Sequence, residues 1–437
     1  MVNHDGTERE ELPHKQVSQV VEHLFRHEAG RMVAILTGIF GVEHLTLAED
    51  VVQEALARAL QTWPFYGVPA NPSAWIMRAS RNLALDVVRR DKVFRGKEPE
   101  IIRLIEEAAT ISDAVPSLDN EIVDDRLRMM FVCCHPLIPQ EDQVALALKT
   151  LCGFSVSEIS RAFLSTDAAV AKRLTRAKQS IREAGIKFEI PAGEELARRL
   201  NGVLHSLYLL FNEGYKASGG EKLVREEICS EAIRLAELLV NHPAGNQPGT
   251  HALLALMLLN TARLSARVDE DGNLLRLQEQ DRSRWDPSMI ARGMFHLARS
   301  ASGESISEYH IQAGIAACHC AAKDYESTQW GQILSLYDRL RQFDDSPVVA
   351  LNRAVVVANV LGPQAGLEAV AAIPGRKKLE SYYLLYAVLG EFEERMNHFG
   401  SAAGYFEQAL RLADLKSERE FLAKRIQVCE QKSAQAR

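Results

Sequence analysis

The sequence predicts an all-helical fold that is divided into several domains. Apolar residues recur at intervals of three and four along nearly every segment, as in amphipathic helices, whereas alternating strand patterns are scarce. Alanine, leucine, glutamate and arginine, which are good helix formers, dominate these segments. Stretches that are acidic or rich in glycine and proline interrupt the pattern. They predict a first domain over residues 16–95, a linker over 96–118, a second domain over 119–187 and a C-terminal domain over 190–437.

The composition is typical of a folded cytoplasmic protein. Hydrophobic residues make up 47% of the chain and charged residues 25%. Apolar runs stay shorter than the roughly 18 residues that a membrane span needs. The acidic N-terminus lacks the basic start and apolar core of a secretory signal. We therefore expect no membrane association.

The seven cysteines indicate reduced thiols rather than disulfides or a metal site. Their number is odd and their spacing shows no disulfide framework. The clusters Cys133-Cys134-His135 and Cys318-His319-Cys320 lack the C-x-x-C spacing that lets two thiolates bind one zinc ion. We expect buried thiols in helices, with no metal and no cofactor.

The charge distribution is more informative than the formal net charge of −7. Residues 78–97 contain seven Lys/Arg against two Asp/Glu, and residues 172–187 contain six against one. Residues 98–130 between them contain nine acidic residues against three basic ones. Two basic helices on either side of an acidic link are compatible with nucleic-acid binding despite the negative total.

The first domain contains a helix with a mixed aromatic and basic surface. This helix is predicted over NPSAWIMRASRNLALDVVRR, after a helix over residues 46–63. Asn71 can cap its N-terminus, and Pro72 suits its first turn. Cations neutralise phosphates and aromatic rings stack on exposed bases, which suits a melting or single strand. A solvated basic face on an ordinary amphipathic helix is the alternative. The surface is formed by Trp75, Arg78, Arg81, Asn82, Arg89 and Arg90.

The second domain contains the pattern of a helix-turn-helix. Ser155 and Glu158 form a capping box, a short turn follows the first helix, and Gly185 can end the basic second helix. A generic helical hairpin is the alternative. The predicted core comprises Ile159, Phe163, Val170 and Leu174. The side chains facing a major groove would be Thr166, Ala168, Ala169, Lys172, Arg173 and Arg176.

In this order, the two domains resemble an extracytoplasmic-function (ECF) sigma factor of the sigma-70 family. LAEDVVQEALARAL followed by NPSAWIMRASRNLALDVVRR resembles sigma domain 2, and the helix-turn-helix with RLTRAKQSIR resembles sigma domain 4. The resemblance covers residues 16–187 and lacks sigma domain 3, whose place the acidic linker takes. It implies a non-enzymatic protein that binds core RNA polymerase, through the β′ clamp and the β flap, and directs initiation at promoter DNA.

The resemblance also implies a role for individual residues. Asp50, Gln53 and Glu54 match the segment that docks on the β′ clamp helices. The positions that capture the melted −10 element match Trp75, Arg78, Arg81, Asn82, Asp86, Arg89 and Arg90. The positions that read the −35 element match Ser165, Thr166, Ala168, Ala169, Lys172, Arg173 and Arg176.

The C-terminal domain resembles the long helical extension of one ECF subgroup. Its last part is similar to a tetratricopeptide repeat (TPR), although Glu393 and Asp414 depart from the consensus. The matching repeat positions are Tyr386, Leu389, Gly390, Ala402, Phe406 and Ala409. Two signature segments have no assigned role; they contain Phe211, Asn212, Glu213, Gly214, Tyr215, Asp281, Arg282, Arg284, Trp285 and Asp286.

The charged residues of these signature segments tempt an enzymatic interpretation, because paired carboxylates can act as acid and base. Ion pairs and helix caps are the more economical account, and we expect Gly214 to permit a turn. We expect the extension to regulate activity, with a regulatory protein or peptide as a further candidate partner. The alternative function is a helix-turn-helix regulator with a helical-repeat sensor that does not act as a sigma factor.

Overall fold

The structure is a computed structural model of the chain. It describes residues 17–18, 20–21, 24–25, 28–90, 119–162, 165–215, 226–267, 269, 274–303 and 305–435. The predicted linker over 96–118 lies outside the described residues, as does Phe163 of the predicted helix-turn-helix core.

The prediction of an all-helical fold is confirmed. The described residues contain eighteen α-helices and no β-strand. None of these helices combines the length and the apolar character that a bilayer-spanning segment needs. The helices are α1 Ala29–Phe40, α2 Leu45–Tyr66, α3 Pro72–Arg90, α4 Asp119–Cys133, α5 Gln140–Thr150, α6 Val156–Ala162, α7 Asp167–Glu183, α8 Gly193–Tyr215, α9 Glu226–Asn241, α10 Pro248–Thr261, α11 Pro287–Ser300, α12 Glu308–Ala321, α13 Trp330–Leu340, α14 Pro347–Leu361, α15 Pro363–Ala371, α16 Tyr383–Arg395, α17 Phe399–Leu412 and α18 Lys416–Gln435.

The chain forms two compact units that divide within α8, between Leu209 and Leu210. This division lies later than the sequence boundary at residue 190, because the first half of α8 packs into the first unit. The buried Arg199 guanidinium donates to the Phe131 carbonyl at 2.6 Å, and the Ser206 hydroxyl donates to Gln143 Oε1 at 3.3 Å. The two N-terminal sequence domains both lie in this first unit.

The first unit is built around the apolar faces that the sequence periodicity indicates. Leu36, Val52 and Ile76 on α1, α2 and α3 are completely buried. In the second half of the unit Ile159, Val170 and Leu174 are buried, as predicted. Burial of such side chains contributes roughly 1.5–3 kcal/mol each, so these faces are the main source of the unit's stability.

The second unit has α10 at its centre. Every residue of this helix from Thr250 to Leu259 is buried, and α9, α11 and α12 pack around it. Towards the C-terminus, α16 and α17 form a helical hairpin in which the Phe406 ring lies over Gly390. A Cβ atom at Gly390 would lie 2.8 Å from that ring. The large residue therefore occupies the space that a small residue leaves on the neighbouring helix.

The thiols are mostly buried, as expected from the sequence. Cys133, Cys134, Cys152, Cys229, Cys318 and Cys429 are buried and Cys320 is half-buried, and all seven are free. In the described part of the chain, no group of three or more His, Cys, Asp or Glu side chains is placed to hold a metal ion.

Candidate nucleic-acid and polymerase interface

One face of α2 carries the three side chains that the sequence assigns to polymerase binding. Asp50, Gln53 and Glu54 are all exposed, while Val51 and Val52 between them face the core. Glu54 accepts from Arg58 Nε at 3.1 Å, one turn further along the helix. Partial desolvation of its carboxyl group raises the pKa of Asp50, a shift that Lys178 opposes and Glu49 increases. The face is polar and open to a partner.

Helix α3 begins as predicted and presents most of the predicted basic face. The Asn71 side chain accepts from the Ala74 amide at 3.0 Å, which caps the helix ahead of Pro72. Trp75 is half-buried, and its ring packs edge-on against Trp63 with centroids 5.4 Å apart. The exposed polar side chains of α3 are those of Arg78, Asn82, Asp86, Arg89 and Arg90.

Arg81 departs from the predicted surface. It is only 9% exposed, and it shares the inner face of α3 with Met77, Ser80 and Ala84. These positions are three and four residues apart, so they point in the same direction on a helix. The Arg81 side chain is thus largely covered by the packing of α3.

Two exposed aromatic residues at the end of α2 were missed by the sequence reasoning. Phe65 is 78% exposed and Tyr66 is 85% exposed, and both precede the short connection to α3. Single exposed apolar side chains are normal on a protein surface, but contiguous ones mark candidate interaction sites. The signal in the sequence is the cluster WPFYG directly before a basic helix.

Helices α6 and α7 have the local geometry predicted for them. The Ser155 hydroxyl accepts from the Glu158 amide at 3.1 Å, and the Glu158 carboxylate accepts from the Ser155 amide at 2.8 Å, which forms the capping box. Thr166 caps α7 by accepting from the Ala169 amide. Gly185 follows α7 with a φ of +57°, the left-handed conformation that ends many helices.

The polar face of α7 is accessible along most of its length. Of the predicted −35 contacts, Thr166, Ala168, Lys172 and Arg176 are exposed, whereas Ser165, Ala169 and Arg173 are half-buried. The face lies opposite the buried Val170 and Leu174, as the helical period requires.

Three cations of α7 are held by carboxylates. Arg173 lies 2.7 Å from Glu141, and Arg176 contacts the buried Asp142 at 3.2 Å; both acids belong to the first turn of α5. Further along α7, Lys178 Nζ lies 2.5 Å from Glu49 Oε2 on α2. These cations of α7 are therefore already paired with carboxylates in the free chain.

The first signature segment of the extension is structural. Phe211 and Glu213 are buried, Asn212 is half-buried, and the ring of the half-buried Tyr215 is covered by the Arg267 guanidinium 4.3 Å from its centroid. Gly214 is not at a turn, which corrects the expectation from the sequence. It lies inside α8, where a Cβ atom would be 2.7 Å from the Cys229 backbone nitrogen, so glycine allows α9 to approach.

The second signature segment provides helix caps, as the sequence suggested. Asp281 accepts from the Ser283 amide at 2.9 Å, and Asp286 caps α11 by accepting from Ser288 and Met289. Hydrogen bonding to Ser283 lowers the pKa of Asp281. Both carboxylates therefore accept hydrogen bonds from backbone amides of their own segment.

The arginines of this segment bind backbone carbonyls. Arg282 donates to the carbonyls of His319 and Ala322, both at 2.7 Å, and its guanidinium lies 4.9 Å from the ring centroid of the buried Trp285. Arg284 donates to the Ser265 carbonyl at 2.6 Å. The segment thus ties several loops of the second unit together.

Two family profiles match parts of the chain. Residues 24–93, which include α1 to α3, match the family described as Sigma-70 region 2. Residues 199–301 match a family of unknown function (DUF6596) that includes both signature segments. No solved structure matches the chain.

Three relatives indicate how far the similarity extends. An uncharacterized protein of Rhizobium meliloti (strain 1021) is 38% identical over 382 residues, 87% of this chain and 89% of its own length. The ECF RNA polymerase sigma factor SigE of Mycolicibacterium smegmatis is 27% identical over 37% of this chain and 60% of its own length. The probable RNA polymerase sigma factor RfaY of Xanthomonas campestris pv. campestris is 28% identical over 31% of this chain and 33% of its own length. The chain therefore belongs to the same family as the Rhizobium meliloti protein, with a sigma-70 region 2 at its N-terminal end.

Proposed function

We propose that this protein is a sigma factor of the ECF type, which binds core RNA polymerase and directs promoter recognition and initiation. The observation that carries the proposal is the sigma-70 region 2 match over residues 24–93, in which an exposed polar face on α2 adjoins the basic helix α3. In this function Asp50, Gln53 and Glu54 contact the β′ clamp of the polymerase.

Helix α3 captures the melted −10 element in the proposed complex. Its exposed cations neutralise phosphates of the single strand, and the neighbouring aromatic side chains of Phe65, Tyr66 and Trp75 offer surfaces on which bases stack. Stacking of one base on an aromatic side chain contributes about 1–3 kcal/mol. Few such contacts are needed, since polymerase supplies further affinity.

Helices α6 and α7 act as the −35 reader in this proposal. The capping box and the exposed Lys172 and Arg176 support a helix-turn-helix that lays α7 in the major groove. Residues 119–187 then correspond to sigma domain 4, with the polymerase β flap as its partner. Residues 16–95 correspond to sigma domain 2, and 96–118 to the linker.

The extension regulates this activity in the proposal. Its C-terminal hairpin, with Phe406 packed on Gly390, is TPR-like, and repeat surfaces of this kind commonly bind proteins or peptides. A regulatory protein or peptide is therefore its proposed partner. Removing residues 210–437 should change transcription or its response to a signal; unchanged output together with an unchanged response would exclude a regulatory role.

In vitro transcription with purified core polymerase tests the main proposal. The template is the region upstream of the protein's own gene. We expect specific initiation by the full chain, and a reduction of roughly tenfold or more in an Asp50→Ala/Glu54→Ala variant and in an Arg89→Ala/Arg90→Ala variant. Arg411→Ala, which removes an exposed cation from α17, serves as the matched control and should initiate normally.

Core-polymerase binding in the same experiment separates the two functions considered. DNA binding by α7 without any binding to core polymerase would refute the sigma factor and favour a helix-turn-helix regulator. Core binding that is lost in the Asp50→Ala/Glu54→Ala variant but kept in the Arg411→Ala variant would support the assigned face of α2.

A further inference from the structure

We propose that the second unit binds a small, hydrophilic molecule with one carboxylate group, in a basic cavity lined by residues of α14, α16, α18 and two connecting segments. All of these residues belong to the second compact unit. The inference goes beyond the proposed function, and ligand binding is measured without polymerase.

The cavity has a polar wall and room for a metabolite. Its volume is about 280 Å³, and the described residues that line it comprise four cations, two carboxylates, two amides and a phenol. A water molecule takes up about 30 Å³ in the liquid, so roughly nine or more non-hydrogen atoms can fit. Sites for drug-like ligands are lined mostly by hydrophobic and aromatic side chains. This cavity therefore suits a small and strongly polar molecule.

Three of the four cations share three carboxylates, so most of the wall is close to neutral. Glu279 takes part in this network from just outside the cavity. The nitrogen–oxygen distances are 2.5 Å for Arg276–Glu279, 2.9 Å for Arg276–Glu391, 3.3 Å for Arg425–Glu391 and 3.4 Å for Lys432–Glu394, and Arg425 also contacts Glu394.

Arg395 supplies the excess positive charge. Its guanidinium donates to the Ala358 carbonyl at 2.9 Å and to Asn359 Oδ1 at 3.4 Å, and both acceptors are neutral. It is the cation of the cavity that has no carboxylate partner among the residues that the structure describes. One negative charge in the cavity would balance it.

The buried Arg425 also favours an anion. Its side chain is 11% exposed, and its Nε–H has no hydrogen-bond partner in the described part of the chain. Desolvation by burial lowers the pKa of Arg425, and the positive charge of Arg276 lowers it further. An anion in the cavity would offset this repulsion between the two guanidinium groups.

The charge balance selects a ligand with a single carboxylate. A carboxylate can accept two parallel hydrogen bonds from an arginine. A dianion would place its second charge near Glu391 and Glu394, which would repel it. The class of ligand is therefore an amino acid or a sugar acid, since each combines one carboxylate with further hydrogen-bonding groups.

A second cavity, of about 710 Å³, shares Gln278 and Tyr325 with the first. Trp285 and Gln280 line it, and in the described part of the chain the buried Trp285 Nε1 and Gln280 Oε1 have no hydrogen-bond partner. Buried polar groups without a partner are rare in folded proteins. They offer one donor and one acceptor to a polar ligand, which gives the second signature segment a role beside the basic cavity.

Isothermal titration calorimetry on the full-length chain tests the site, with gluconate and glutamine as probes for the two ligand sources. We expect at least one of them to bind saturably, at constant ionic strength, with a Kd of about 1 mM or tighter. Sorbitol lacks the carboxylate of gluconate, and glutamate replaces the amide of glutamine by a second carboxylate. Each should bind at least about tenfold more weakly than its counterpart.

The variants test the assigned cations. Arg395→Gln removes the excess charge and should raise the Kd of the bound probe about tenfold. Lys432→Gln leaves the contact between Arg395 and Ala358 in place and should also weaken binding. Arg411→Gln removes an exposed cation of α17 that does not line the cavity, so the Kd should not change. Circular dichroism verifies that every variant keeps its helices.

Binding of gluconate alone would assign the site to a sugar acid, and binding of glutamine alone would assign it to an amino acid. The proposal is overturned if neither probe reaches the expected affinity, or if the sorbitol or glutamate counterpart of the bound probe binds as tightly as that probe. It is also overturned if Arg411→Gln weakens binding as much as Arg395→Gln and Lys432→Gln do.

Discussion

Neutralising Glu141 should strengthen binding of the first unit to DNA. Glu141 is 74% exposed in its side chain and holds Arg173 at 2.7 Å, on the face of α7 that we assign to the −35 element. In the parent chain, DNA binding must break this exposed ion pair, which costs about 0.2–1 kcal/mol. The cost disappears when Glu141 is replaced by Gln, because the pair is then absent. We therefore expect Glu141→Gln to tighten binding by about two- to fivefold.

The assay needs no knowledge of the promoter, because phosphate contacts are independent of sequence. Fluorescence anisotropy with a random labelled duplex between about 50 and 200 mM salt gives the affinity and its salt dependence. The slope of log K against log salt should steepen by about 0.9 if Arg173 gains one phosphate contact. Adding Arg173→Gln should remove both effects.

Glu183→Gln is the matched control, because it changes the net charge of the chain by the same one unit as Glu141→Gln. Glu183 lies on α7 as well, but its carboxylate accepts a hydrogen bond from the Gln179 side chain at 2.6 Å, four residues earlier. Equal gains in affinity for Glu141→Gln and Glu183→Gln would refute the assignment of Arg173, since only net charge would then matter. An unchanged salt slope in Glu141→Gln would refute it as well.

Three further predictions concern the stability of the second unit. Gly390→Ala should destabilise it by about 1–3 kcal/mol in urea unfolding, because the new Cβ atom collides with the Phe406 ring, whereas Gly400→Ala, with nothing within 4 Å, should be neutral or slightly stabilising. Arg282→Met should lower the unfolding free energy by about 2–4 kcal/mol, since two carbonyls lose a charged donor; an unchanged midpoint would contradict this. Burial lowers the pKa of His296 to about 4, so between that pH and about 6.5 this imidazole is protonated mainly in the unfolded chain. The free energy of unfolding should therefore fall by about 1 kcal/mol from pH 7.5 to pH 5. The fall should be smaller in His296→Gln.

Most of the secondary structure and several details of the candidate interface could be predicted from the sequence. The caps at Asn71, Ser155 and Thr166 involve partners three residues away, so their chemistry is visible in the local sequence. The buried Val170 and Leu174 follow from the helical period in the same way. Local interactions of this kind do not depend on how the chain folds over longer distances.

Other features depend on which helices become neighbours. Arg81 has the same sequence character as Arg78, yet one is buried and the other exposed, because only the inner face of α3 packs on the rest of the unit. Gly214 was expected at a turn, but its role comes from the approach of Cys229 on another helix. Hydrophobic periodicity indicates which face of a helix is buried, but it does not indicate which element packs against that face.

By itself, the sequence determined that the chain is helical, where its basic helices lie, and which of their ends are capped. The tertiary structure alone decided that Glu49 meets Lys178, 129 residues further along the chain, and that the acids of α5 hold Arg173 and Arg176. The physical reason is one of range. Helix formation and capping are governed by interactions over three or four residues, whereas an ion pair between distant helices exists only after their apolar faces have packed.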